Sequence, residues 1–139
     1  MSHNYYFNIL PFDPWIVPNP KIPLPLDWED FQHQLQIICP DGEIEAGMRD
    51  NEKFLRLRIH HEEMGEWVVA IFDEGYSVFL ISLWPKQLAK AIVHWYRQYI
   101  PANYRLYSVI PDFGEVTELS PDLTLEDIEK LYPFPMSDD

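Results

Sequence analysis

WVVAIFDEGYSVFLISLW, residues 67–84, is the stretch on which the fold turns. Its two runs, 67–72 and 76–84, are apolar at odd and even positions alike, and Asp73-Glu74-Gly75 separates them. Short apolar runs around a glycine-containing turn read as a hairpin whose strands are covered on both faces. Each face then needs a cover. Just downstream, PKQLAKAIVHWYRQYI (85–100) supplies one. Leu88, Ala91, Ile92, Trp95, Tyr96 and Tyr99 fall along one helical stripe, and Lys86, Lys90, His94 and Arg97 fall on the other side. The second face is left to an upstream helix, to the N-terminal arm or to a second protomer.

Upstream of the hairpin, two runs alternate with period two. In DGEIEAGMR, Ile44, Ala46 and Met48 oppose Glu43, Glu45 and Arg49; in KFLRLRIHH, Leu55, Leu57 and Ile59 oppose Arg56, Arg58 and His60. That alternation predicts strands with one solvated face. Pairing them sets Glu43 and Glu45 across from Arg56 and Arg58. Before them, Asp27 is a candidate N-cap for WEDFQHQLQII, which carries Trp28, Phe31, Leu35 and Ile38 at helical spacing and stops before Pro40. Residues 1–26 hold six prolines interleaved with aromatic and aliphatic residues. Proline bars helix, so this segment is expected to be an extended arm packed along the domain. PNPKIPLP within it also has the spacing of a proline-rich groove ligand.

Downstream, YRLYSVI (104–110) and EVTEL (115–119) read as strands joined around Pro111 and Gly114. Thr124, three residues before Asp127, forms a capping-box pattern that opens a short helix with Leu125, Ile128 and Leu131 inward. Segregated strand runs with short connections predict a single α+β domain over 1–139, with a largely antiparallel sheet of about six strands and three helices.

Composition narrows the function classes. The 139 residues are 47% hydrophobic and 15% aromatic, which a disordered chain is not. The formal charge is −13, so DNA, RNA and anionic lipid are excluded as expected partners. The charge is uneven: Lys86, Lys90, Arg97 and Arg105 form a basic island between Gly75 and Pro111, where no acid occurs. A lone cysteine, Cys39, excludes an internal disulfide and is expected to be a small buried apolar residue. The first residues have no basic n-region followed by a long apolar run, and no stretch approaches 18 uninterrupted apolar residues. A cytoplasmic protein is the expectation.

RIHHEEMGEW (58–67) gathers two histidines, three glutamates and a tryptophan. On a strand, adjacent side chains point to opposite faces, so His60 and His61 do not converge on one metal. With Gly65 for the turn, HHEEMGE reads as a solvated hairpin tip. Helical HExxH, GxSxG, phosphate-cradling glycine loops and dinucleotide fingerprints are all absent from the sequence. The expectation is therefore no catalytic residue, no metal and no cofactor.

Over about residues 84–130, the segments WYRQYIPANYRLY (95–107) and ELSPDLTLEDI (118–128) resemble a recurring pattern in small uncharacterised bacterial proteins, some of them grouped with immunity proteins of polymorphic toxin systems. The element order is also similar to that of type III secretion chaperones, with one strand more before the second helix. The first resemblance implies a small acidic factor that inhibits a basic partner protein by occlusion. The second implies a homodimer that holds an extended client. A small-ligand binder or enzyme with a pocket between sheet and helix is a third expectation. For the first, the candidate contacts are loop acids with a neighbouring aromatic: Glu62, Glu63, Glu66, Asp73, Glu74 and Trp84.

Overall fold

A computed structural model of the chain describes residues 7–10, 27–62, 65–73, 78–81, 86–110 and 115–131. The central hairpin is present as β4 (Gly65–Asp73) and β5 (Val78–Leu80), paired antiparallel with Ala70 opposite Leu80 and Phe72 opposite Val78. Its turn residues 74–77 and the end of its second run, 82–84, lie outside the described residues. Upstream come β2 (Glu43–Arg49) and β3 (Glu52–His61), downstream β6 (Leu106–Ile110) and β7 (Glu115–Leu119). Asp50 and Asn51, both at positive φ (52° and 68°), close the β2–β3 hairpin as the two-residue loop that matches strand twist. Glu43 faces Arg58 and Glu45 faces Arg56, as the alternation requires.

A seventh strand, β1 (Phe7–Leu10), joins the expected six, and the sheet order is β2-β3-β4-β5-β1-β6-β7 with every neighbour antiparallel. β1 comes from the arm, where FNIL is a proline-free run ending at Pro11. It slots between β5 and β6, which therefore run in the same direction as each other and are linked through α2 (Lys86–Tyr99). The rest of the expected arm, including PNPKIPLP, lies outside the described residues.

The three helices among the described residues lie on one side of the sheet. Helix α1 (Trp28–Ile38) is capped by Asp27, whose carboxylate accepts from the Asp30 N–H at 3.2 Å. It packs beside α2 through a cluster centred on Phe31, whose ring is wholly buried. Trp28 stacks on it at 5.5 Å, Phe72 of β4 meets it edge-on at 5.4 Å, and Trp95, Tyr96 and Tyr99 of α2 surround it at 4.9–6.2 Å. Helix α3 (Leu125–Leu131) opens with the expected capping box: Thr124 Oγ1 accepts from the Asp127 N–H and Asp127 Oδ2 from the Thr124 N–H, both at 3.1 Å. Ile128 turns inward there, but Leu125 stays 44% exposed.

Three expectations are corrected by this packing. An upstream helix does not cover the second face of the hairpin, because α1 lies on the same side as α2. The basic side of α2 is not solvated either: Lys90 is buried where it reaches Glu129 on the following helix, and Arg97 is buried against the carbonyls of Ile100, Pro101 and Tyr104. Finally, WVVAIF is not buried at both parities. Ala70 and Phe72 are, whereas Val68 and Ile71 are only half-buried. Val69, wholly buried, is the extra residue of a bulge that shifts register between Leu57 and Arg58, and its carbonyl accepts from Ile81 N–H. No helix among the described residues is long and apolar enough to cross a membrane.

Candidate functional site

Register assigns each strand residue to a face. On the helix side, Leu55, Leu57, Ala70, Phe72, Val78, Leu80, Ile9, Leu106 and Leu119 are fully buried and form the core with α1, α2 and α3. The opposite face takes Val68 and Ile71 of β4, Asn8 and Leu10 of β1, Tyr107 and Val109 of β6 and Val116 of β7. These are half-buried, and no described element lies against them. They form an apolar band across the middle of the sheet. Asn8 Oδ1 within it is buried without a hydrogen-bond partner.

Acids surround the band. Glu66 and Asp73 share the face with Val68 and Ile71 at opposite ends of β4; Glu43, Glu45 and Glu52 lie toward one edge and Glu118 toward the other. At the β2–β3 side, Glu45 bridges Arg56 at 2.9 Å and Arg58 at 3.2 Å. Phe54 lies flat over Gly47, so close that a Cβ there would come within 2.4 Å of its ring, and the Arg56 guanidinium sits 5.4 Å above Phe54. That corner is a packed ionic and aromatic ladder rather than a free cation patch.

The basic island is likewise consumed within the chain. Lys86 and Lys90 both reach Glu129 of α3. Arg97 donates to the carbonyls of Ile100, Pro101 and Tyr104 at 3.1–3.2 Å, tying off the C-terminal end of α2 where carbonyls lose their helical partners. Arg105 stands 3.6 Å from Glu118. The aromatic and arginine-rich segment 94–107 therefore serves mainly to seat α2 and its exit loop.

Of the loop residues picked out by sequence, Glu62 and Glu66 are exposed at the β3–β4 turn, where Gly65 takes φ +82°. Asp73 is half-buried at the far end of β4, roughly 23 Å from Glu66 by strand rise. Glu63, Glu74 and Trp84 lie outside the described residues. The structure thus splits the described acids between two ends of one strand and joins them only through the face they share. What sequence reasoning missed was the band between them. The bulge at Val69 hid it, because it breaks the alternation that would have marked Val68 and Ile71 as outward-facing.

His60 lies opposite Glu66 and His61 opposite Gly65, on successive positions of β3. Among the described residues no group of three His, Cys, Asp or Glu is placed to hold a metal ion. Cys39 is buried beside Gly42, and burial raises its pKa above the ordinary thiol value despite the Gly42 N–H, with Asp41 adding to the rise. That environment stores the thiol form and leaves little nucleophile. Tyr99 is pushed up to about 12 by burial, by its 3.0 Å hydrogen bond to Asp30 and by the charges of Asp30 and Asp27. It locks α2 to the start of α1. No family model, no curated protein and no solved structure matches this chain.

Proposed function

We propose that this is a small acidic protein-binding protein of the inhibitor or immunity type, which acts by occluding a basic partner protein. The observation that supports it most is the sheet face against which no described helix lies, an apolar band rimmed by Glu43, Glu52, Glu66, Asp73 and Glu118. The band supplies desolvated contact area, and the rim sets orientation and suppresses partners of the wrong charge. In a chain of charge −13, the long-range field accelerates encounter with a basic protein. The reading assigns binding without catalysis and belongs to a cytoplasmic setting. Its acids act as a rim around one face rather than as separate loop tips.

Affinity capture from native lysate with the purified protein as bait, washed at low and then high salt, tests this. One stoichiometric basic protein released by salt is expected. Glu66→Lys with Asp73→Lys should weaken its capture and flatten the salt dependence, and Ile71→Asp should abolish retention. Capture that survives both changes rules out this face as the binding surface.

A further inference from the structure

We infer that β2 is a homodimerisation edge, pairing antiparallel with β2 of a second copy about a two-fold axis at Ala46 so that the two sheets become continuous. This does not depend on the proposed inhibitor function. Among the described strands β2 is an outer one, seven residues long, and it lacks the proline, lysine or bulge that natural edge strands use to discourage pairing. Met48 on it, at 64%, and Ile37 in the last turn of α1, at 60%, are the most exposed large apolar side chains among the described residues. Gln36, next to Ile37, donates to the Gly42 carbonyl at 3.1 Å, which ties that helix end to the start of β2.

The residues of β2 match themselves. Centred on Ala46, antiparallel pairing sets Glu43 against Arg49 of the second copy, twice by symmetry, and Ile44 against Met48. Within each chain Glu43 already faces Arg58 and Arg49 faces Glu52. The assembled row therefore reads Arg58, Glu43, Arg49, Glu52 across the two-fold axis, with charges alternating at every step. The row on the other face reads Leu55, Ala46, Ala46, Leu55, apolar throughout. Glu43 and Arg49 are exposed and make no ion pair among the described residues, so both are available. Centring on Glu45 instead would put that carboxylate against itself, and centring on Gly47 would cut the overlap.

Sedimentation velocity of the full chain across a concentration series tests the inference. The wild-type protein should dimerise. Arg49→Glu and Glu43→Arg, each of which sets like charges opposite one another in both copies of the pair, should each weaken the dimer by about tenfold or more. The double variant Glu43→Arg/Arg49→Glu should recover part of the loss, because opposite charges again meet across the axis while the like charges it sets against Arg58 and Glu52 lie within each chain, and that recovery separates a lost charge pair from a damaged fold. Glu115→Lys on β7, the other outer strand, should change nothing. A protein that stays monomeric throughout, a dimer indifferent to both single reversals, or one broken by Glu115→Lys overturns the inference.

Discussion

The two faces of this sheet are built from the same strands and fare very differently. On the helix side, β3, β4, β5, β1, β6 and β7 each contribute at least one wholly buried side chain; on the other side no described residue assigned by register is wholly buried. In β3, Leu57 sits in the core while its neighbours Arg56 and Arg58 make an ionic ladder in partial contact with water. Helix placement, not strand composition, creates this asymmetry. Phe31 and the α2 aromatics hold α1 beside α2, and Glu129 with Lys86 and Lys90 brings α3 to the other flank. The sheet is left with an apolar band that a strand-by-strand reading would have called core.

Three changes would break or sharpen that contrast. Phe31→Ala empties the centre of the helix layer and should cost roughly 3–5 kcal/mol of unfolding free energy in urea titration, enough to threaten folding. Less severe is a matched pair of substitutions that preserve strand-forming side chains. Leu57→Thr on the helix side should cost about 3 kcal/mol, and Ile71→Thr on the helix-free side about 1 kcal/mol, because only the first buries an unpaired hydroxyl and leaves a void. Equal losses from the two would mean that the second face is covered in the free protein.

The smallest effect is confined to alkaline pH. Tyr99 titrates near 12 when folded and near about 10 when unfolded, so the folded state holds its proton longer. That contribution is complete below about pH 10 and is lost as pH rises toward about 12. Tyr99→Phe should flatten this part of the stability curve measured by circular dichroism. Tyr96, whose pKa burial also raises, adds to the alkaline decline in the same direction.

Local chemistry made much of this architecture legible. Asp27, Pro40, the Thr124–Asp127 box and the alternation through 43–61 carry their signals within a few residues, and the elements they predict are present. The β1 strand was hidden because its four residues, followed at once by Pro11, carry too short a pattern to separate a strand from an extended arm. Arg97 and Lys90 were misplaced because a helix flanked on both sides buries more than one stripe, and guanidinium and ammonium groups enter a core when carbonyls or a carboxylate await them. Leu125 was expected inward on apolarity alone, yet the first turn of α3 faces water. The loop acids were recognised correctly as exposed at Glu62 and Glu66, but the surface linking Glu66 to Asp73 depends on which side the helices chose, and no local pattern records that choice.

A photoreactive amino acid placed at position 71, on the sheet face against which no described helix lies, and separately at Gln87, exposed on α2, in cells that make the protein, shows most directly which surface binds. Irradiation and identification of the adducts should yield one basic protein crosslinked from position 71 and not from position 87. Adducts of equal yield at both positions, or none from position 71, would contradict the claim that the helix-free face is the binding surface.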